Sequence, residues 1–234
     1  ATGMDADGDG RPAMAAKPAD PTGTIALYDC DDADKTIFRG APEVCGDGKD
    51  NNCDGMMDEP ACIEPVGNVA CQDHMFEGKM YSKCGKGGGN LWTQPKARLV
   101  CLQKGMELVA INSQAENDFV LGLIGDQTWT SATDFPDTSN DNGNMSPTGE
   151  QWRWGNDEVV FFTGKATAGK PLDGKFAKWG TTGANPPQQP NNQVGPYNGA
   201  TCREGCMVIR TTQGGSWYDI CCNWRTGDGF CEAR

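Results

Sequence analysis

Twelve cysteines and a single histidine constrain this chain of 234 residues more than any other feature of its sequence. Zinc sites and catalytic Cys/His pairs combine both residue types, and no segment around His74 does so at finger-like spacing. The even number of cysteines favours disulfides instead. Because disulfides persist in oxidising compartments, we expect a secreted or cell-surface protein, outside a cell or in a periplasm.

The negative charge of the chain is concentrated in its N-terminal quarter. Residues 1–66 hold 15 acidic and 5 basic side chains, so this segment carries −10 of the net charge of −12. Such a balance disfavours nucleic acid and anionic membrane surfaces as partners and favours cations. No run of 18 apolar residues occurs in the sequence, so we expect no membrane span.

The chain divides into two parts of different composition. Residues 1–66 are rich in Asp, Gly, Ala and Pro and lack apolar periodicity, so they could not bury enough surface to fold without metal ions and disulfides. Residues 67–234 hold all seven tryptophans and have the composition of a globular domain. We therefore predict two domains with a boundary near Pro65-Val66-Gly67.

Two short acidic stretches of the N-terminal segment, "DADGDG" and "DNNCDG", have the ligand spacing of a calcium loop. Oxygen side chains occupy positions 1, 3 and 5 and glycine position 6, a pattern that directs several oxygens at one Ca²⁺. Position 12, which is Glu in an EF-hand, is Ala16 in the first loop and Ala61 in the second, so neither loop is an EF-hand. The predicted ligands are Asp5, Asp7 and Asp9 in the first loop and Asp50, Asn52 and Asp54 in the second.

Neighbouring acidic residues could supply the missing carboxylates. The "DCDD" stretch offers Asp29, Asp31 and Asp32 to the first loop, and Asp58 or Glu59 could complete the second. The alternative is a disordered acidic tail in which the Asp-Gly pairs are ordinary turns. The four cysteines interleaved in this segment favour an ordered one.

The order of these motifs resembles a known repeat. "DADGDG", "DCDD", "GAPEVC", "DGKDNNCDG" and "DE" are similar to the Cys/Asp-rich metal-binding repeat of secreted myxobacterial proteins, and in chemistry to thrombospondin type 3 calcium repeats. The resemblance covers about residues 5–62. It implies a segment that is ordered by calcium and is not catalytic.

The globular part begins with signals for two helices. "LWTQPKARLVCLQKG" has Thr93 as a candidate N-cap, a proline in the first turn and Gly105 as a stop, so the pattern predicts a helix that ends near Lys104. "SQAENDFVLGLIG" opens with Ser113 and Glu116 at capping-box spacing, which predicts a second helix. Residues 125–200 are mostly loop-forming, with strand-like "QWRW" and "EVVFF", and the remaining sequence alternates strands and turns.

Several motifs of residues 68–234 resemble a C-type lectin-like domain in the same order. They are "MELVAINSQAENDFV", "TWTSATD", "QWRWGND", "CMVI", "WYD" and "GFCE". The resemblance implies an α+β fold with two helices, two small antiparallel sheets and a long loop region. It also implies disulfides Cys101–Cys231 and Cys206–Cys222. Cys71 and Cys84 could then close an N-terminal hairpin, and Cys202 and Cys221 could form an additional bridge.

The "QPNN" stretch resembles the calcium-ligand tripeptide of this family, in which a cis proline separates two oxygen side chains. By this resemblance Gln189, Asn191, Glu204 and Asp219 are the predicted ligands of a Ca²⁺ that leaves coordination places for two sugar hydroxyls, and Trp217 belongs to the same ligand site. Tyr218 departs from the pattern, because a phenol stands where the family has a ligating Asn. The alternative is a polar Pro/Asn-rich loop with no ion.

Two functions fit these features, and neither is catalytic, because one histidine offers no triad and both Cys221 and Cys222 are expected in disulfides. The first is a secreted Ca²⁺-dependent protein that binds glycan or mediates adhesion. The second is a structural protein, the subunit of a surface layer or filament, in which the domain contacts a surface protein or its own copies as a homo-oligomer. In the second case calcium only rigidifies the acidic segment.

Overall fold

In this computed structural model, the residues described are 5–8, 13, 29–59, 62–85, 92–125, 127–134, 151–155, 160–164, 169–180, 189–190, 194–197, 200–225 and 227–233. The helices of this part of the chain are α1 (Gln94–Gln103) and α2 (Gln114–Leu123). Its strands are β1 (Cys71–Phe76), β2 (Lys79–Cys84), β3 (Glu107–Leu108), β4 (Gln127–Thr133), β5 (Gln151–Trp154), β6 (Val160–Thr163), β7 (Lys170–Pro171), β8 (Val194–Tyr197), β9 (Ala200–Arg210), β10 (Ser216–Cys221) and β11 (Asp228–Glu232).

Both helices begin at the residues that the sequence predicts. The Thr93 hydroxyl accepts a hydrogen bond from the Lys96 amide at 3.4 Å, and the Ser113 hydroxyl accepts one from the Glu116 amide at 3.0 Å. Each cap satisfies an amide that lacks a partner within its own helix. Helix α1 then ends at Gln103 with Lys104 as its C-cap, close to the predicted end, and Gly105 follows in the left-handed conformation with φ of 72°.

The strands join into one branched network, which differs from the expected pair of separate sheets. One path runs β1-β2-β11-β4-β5-β6-β7, and β9 connects to it through β4 while also pairing with β8 and β10. Strand β4 makes this junction because its residues Thr128 and Trp129 pair with β11 on one side and β9 on the other, while its end pairs with β5. The β11–β4 pair is parallel, whereas most of the other pairs are antiparallel.

The core lies on both faces of this network. One cluster contains α2 residues and an aromatic group in which Trp154 stacks on Phe161 with ring centroids 4.3 Å apart. The other contains Trp129 and the inner face of α1, including Ala97 and Val100. Each large apolar side chain buried in this way contributes roughly 1.5–3 kcal/mol.

Disulfides tie the strand network to α1 and cross-link the acidic segment. The implied pairs Cys101–Cys231, Cys206–Cys222 and Cys71–Cys84 are present. Cys221 is also disulfide-bonded, and the side chain of Cys202, its predicted partner, lies outside the described residues. In the N-terminal segment the pairs are Cys30–Cys53 and Cys45–Cys62.

The acidic segment packs against the globular part. Phe38 and Ala41 form a buried cluster with Leu102 of α1, and all three side chains are at most 1% exposed. The Arg98 guanidinium, also on α1, donates to the Gly40 carbonyl at 2.8 Å. The segment is therefore a docked element and not a simple tether. Within the described ranges, no helix is long and apolar enough to cross a membrane.

Candidate metal and ligand sites

The loop at Asp50 folds so that its predicted ligands share backbone amides. The Asp50 carboxylate accepts hydrogen bonds from the amides of Asp54 at 3.1 Å and Gly55 at 2.9 Å, and the Asn52 side-chain oxygen accepts from the Asp54 amide at 2.9 Å. Gly55 adopts a φ of 99°, which glycine reaches without strain and which makes the sharp turn possible. The side-chain oxygens of Asp50 and Asn52, the predicted ligands at positions 1 and 3, thus lie in the same turn.

Glu59 lies against this loop, whereas Asp58 belongs to a different turn. The Asn52 amide group donates to Glu59 Oε1 at 3.1 Å, and the Asp58 carboxylate accepts from the Gly46 amide at 2.6 Å. Glu59 is 7% exposed, and its Oε2 is buried without a hydrogen-bond partner among the described residues. A buried carboxylate oxygen in this state is costly unless a cation or water occupies the adjacent space.

Glu43 organises the same loop, and the sequence analysis did not select it. It is 6% exposed, and its carboxylate accepts hydrogen bonds from the amides of Asn51 at 2.9 Å, Asn52 at 3.3 Å and Asp58 at 3.1 Å. Burial raises the pKa of Glu43 to about 7, and the nearby charge of Glu59 adds to this, while the backbone hydrogen bonds oppose it. The signal in the sequence is a lone acid inside "GAPEVC", next to a cysteine.

Asp32 is hydrogen-bonded to the first acidic loop. The Ala6 amide donates to the Asp32 carboxylate at 3.0 Å, and the Gly8 amide donates to that of Asp5 at 2.8 Å.

Asp29 is 1% exposed, forms a parallel bridge with Ala13, and accepts a hydrogen bond from the Asp31 amide at 2.7 Å. Asp7 lies in the described part of this loop, and Asp9 lies outside it.

The donor set of the acidic segment fits a hard cation. No three His, Cys, Asp or Glu side chains converge as a ready metal cluster in the part of the chain that the structure describes. The candidate ligands of the second loop are carboxylate and amide oxygens, and the four cysteines around them are disulfide-bonded. Oxygen donors of this kind suit Ca²⁺, while copper sites are built from imidazole and sulfur.

Two residues of the predicted lectin site, Gln189 and Asp219, lie in contact. The Gln189–Pro190 bond is cis, as the resemblance implied. The Gln189 side-chain oxygen accepts a hydrogen bond from the Asp219 amide at 3.3 Å, and the two residues are 6% and 2% exposed. Glu204 lies opposite Cys221 in the β9–β10 register, and Asn191 lies outside the described residues.

Trp217 and Tyr218 point to opposite faces of β10. Trp217 is 0% exposed and its indole N–H donates to the Asn117 side-chain oxygen at 2.8 Å, so its ring has no surface with which to contact a sugar. Tyr218 packs in the other core cluster, 2% exposed, with the Arg210 guanidinium 4.5 Å from its ring centroid. Its hydroxyl has no hydrogen-bond partner among the described residues. The position of the family's ligating Asn is therefore filled by a core side chain.

One family model matches part of the acidic segment. A family model, Cu-binding MopE, described as "Putative metal-binding motif", matches residues 29–59. No curated protein matches the sequence of the chain.

The solved structures similar to this chain include C-type lectin domains and an antifreeze protein. The mouse scavenger receptor C-type lectin carbohydrate-recognition domain is 22% identical, with 69% of this chain and 93% of that chain covered and a TM-score of 0.44. The cow CD23 carbohydrate-recognition domain is 21% identical, covering 70% and 96%, with a TM-score of 0.44. A calcium-independent type II antifreeze protein is 16% identical, covering 71% and 95%, with a TM-score of 0.40.

Two predictions from the sequence are confirmed, one by the family model and one by the structure itself. The match to residues 29–59 confirms the metal-binding repeat in the N-terminal segment. The helices α1 and α2, the strand network and the disulfides described above confirm the α+β, C-type lectin-like fold. The protein thus combines a metal-binding motif with a disulfide-rich lectin-like domain.

Proposed function

We propose that this protein is a secreted, non-catalytic, calcium-binding protein whose lectin-like domain binds glycan or mediates adhesion at a cell surface. The observation that carries the glycan-binding part is the contact between Gln189 and Asp219, two predicted ligands 30 residues apart in sequence. A Ca²⁺ bound by Gln189, Asn191, Glu204 and Asp219 would present free coordination places to vicinal hydroxyls.

Calcium binding in the acidic segment is the second part of the proposal. The segment brings Asp50 and Asn52 to one turn and places the buried Glu59 beside them, so at least one oxygen-lined loop is preorganised. Here the ion has a structural role. Secretion fits the disulfides that join ten of the described cysteines in pairs.

Calorimetric titration of Ca²⁺ into the chelator-treated full chain tests this proposal. The variant Asn191→Ala/Asp219→Ala should lose one binding site while retaining the sites of the acidic segment. Asp118→Ala is the matched control, because it removes a carboxylate that is 59% exposed on α2 and is not among the predicted ligands. Glycan-array binding that depends on Ca²⁺ in the wild type, and is lost in the double variant, would complete the test. An unchanged stoichiometry in that variant would contradict the lectin site.

A second candidate function is favoured by Tyr218. Because this buried phenol replaces a ligating Asn, the domain could recognise protein surfaces, including its own copies in a homo-oligomer or filament, with calcium bound only in the acidic segment. This function predicts Ca²⁺-dependent self-association that persists in Asn191→Ala/Asp219→Ala. Light scattering as a function of protein concentration distinguishes it from glycan binding.

A further inference from the structure

The backbone of the second acidic loop is hydrogen-bonded to the chain segment that precedes it. The amide of Phe38 donates to the Asn51 carbonyl at 3.0 Å, and the amide of Gly40 donates to the Asn52 carbonyl at 3.2 Å. Asn51 and Asn52 immediately follow Asp50, the first ligand of the loop. The loop backbone is therefore hydrogen-bonded directly to Phe38 and Gly40.

The same two residues form the contact with helix α1. The Gly40 carbonyl accepts a hydrogen bond from Arg98 Nη1 at 2.8 Å, and the Arg98 guanidinium lies 5.6 Å from the centroid of the Phe38 ring. The Phe38 side chain is 0% exposed and packs against Leu102, one turn further along α1. The acidic loop and the helix are thus separated by one layer of residues.

Arg98 is held rigidly on the side of the lectin-like domain. Its Nε and Nη2 donate to the two carboxylate oxygens of Glu107, each at 3.0 Å, and Nη2 also contacts the Gly155 carbonyl at 3.4 Å. Glu107 is 0% exposed and lies in β3, which pairs with β11. A two-bond ion pair of this geometry fixes the plane of the guanidinium and with it the positions of Phe38 and Gly40.

We propose that Phe38 and Arg98 couple cation binding in the acidic loop to the stability of the lectin-like domain, so that residues 29–59 are a cation-dependent brace on α1. The inference rests on the proposed calcium binding. A cation that binds only the ordered loop also stabilises helix α1, because the segment that carries the loop packs against that helix. The coupling is reciprocal. The factor by which bound Ca²⁺ strengthens the packing of residues 29–59 on α1 is also the factor by which Ca²⁺ binding weakens when that packing is lost at Phe38.

The positions of the tryptophans allow the stability of the lectin-like domain to be measured separately from Ca²⁺ binding in the acidic segment. All seven lie between positions 92 and 224, so tryptophan fluorescence follows unfolding of the lectin-like domain alone. Calorimetry with CaCl₂ reports binding. The full chain would carry Asp219→Ala throughout, which removes the contribution of the proposed lectin-site ion.

Three further variants are compared in that background. Phe38→Ala removes the ring under the guanidinium, and Phe38→Leu retains apolar volume without the ring, which keeps the test valid if Phe38→Ala disrupts the segment. Met57→Ala is the matched control, because Met57 lies in the same segment but its side chain is 62% exposed.

With Phe38 intact, Ca²⁺ at about 100 times its Kd should raise the midpoint of tryptophan-detected unfolding by about 5 °C. Phe38→Ala should bind Ca²⁺ about 5-fold more weakly or worse and lose at least half of this rise, Phe38→Leu should be intermediate, and Met57→Ala unchanged. Calcium binding without a rise, or an equal rise and affinity in all variants, overturns the coupling and leaves calcium binding standing. Absence of calcium binding in the parent chain overturns calcium binding in the segment and the coupling with it.

Discussion

The guanidinium of Arg98 and the carboxylate of Glu107 form a two-bond ion pair in which both nitrogen–oxygen distances are 3.0 Å. Glu107 is fully buried and Arg98 is 17% exposed, so the pair is largely shielded from water. Because Arg98 also binds the Gly40 carbonyl, one side chain of α1 contacts both parts of the chain. The contact between the acidic segment and the lectin-like domain therefore depends on Arg98, whose charge also balances the buried Glu107 carboxylate of the domain.

Replacing Arg98 by Met should lower the free energy of unfolding by about 3–5 kcal/mol, because the Glu107 carboxylate then remains buried without its cation. Urea unfolding followed by tryptophan fluorescence measures this loss. Lys178→Met is the control: its 4.0 Å pair with exposed Asp118 is screened by solvent, so its loss should cost less than about 1 kcal/mol. A loss below about 1 kcal/mol in Arg98→Met as well would show that the buried pair is not important for stability.

Replacing Glu43 by Gln should loosen the second acidic loop. A carboxamide cannot accept hydrogen bonds with both of its polar atoms, so at least one of the amides of Asn51, Asn52 and Asp58 loses its acceptor, at a cost of about 1–3 kcal/mol. Faster amide hydrogen exchange at residues 51–58 is the expected result. Glu64→Gln, at an exposed position, should leave exchange unchanged. Equal protection in the two variants would mean that Glu43 does not order the loop.

The contribution of Glu232 to the free energy of unfolding should fall as the pH rises. Its burial raises the pKa of the carboxyl from 4.5 to about 7, an effect that Lys79 opposes and the charge of Glu116 increases. The unfolded chain therefore loses this proton at lower pH than the folded protein, and the contribution of Glu232 to stability falls between about pH 4.5 and pH 7.

Glu232→Gln removes this dependence, so its stability relative to the wild type should increase across that pH range and then level off. Denaturant unfolding at several pH values measures the difference, with exposed Glu77→Gln as the control. A relative stability that is flat with pH would show that the carboxyl titrates normally.

Replacing Tyr218 by Phe should leave stability unchanged or raise it by up to about 1 kcal/mol. The hydroxyl is buried without a hydrogen-bond partner among the described residues, so its removal relieves a desolvation cost. Tyr218→Ala, in contrast, should cost about 3–5 kcal/mol, because it opens a cavity beneath Arg210. Thermal unfolding compares the two. A loss of more than about 1 kcal/mol in Tyr218→Phe would indicate that the hydroxyl has a bound partner.

Local signals in the sequence predicted several elements correctly. The hydroxyls of Thr93 and Ser113 cap amides three residues away, and such contacts require nothing from the rest of the chain. The turn at Asp50 is also local, since its oxygens bind amides four and five residues further on. The family resemblance added the disulfide pairs of the domain, and it selected Gln189 and Asp219, which the structure joins by a hydrogen bond and whose role as ligands stays a prediction.

Only the tertiary structure decided which side chains became buried and what they contact. Glu43 gave no ligand pattern, because its amide partners come from a loop 8 to 15 residues away. Arg98 looked like any helical arginine until Gly40, 58 residues earlier, was placed beside it. The sequence by itself thus determined caps, turns and motif order, which depend on neighbouring residues and composition. The roles of Glu43, Arg98, Trp217 and Tyr218 were decided by packing, because burial and hydrogen-bond partners exist only once distant segments meet.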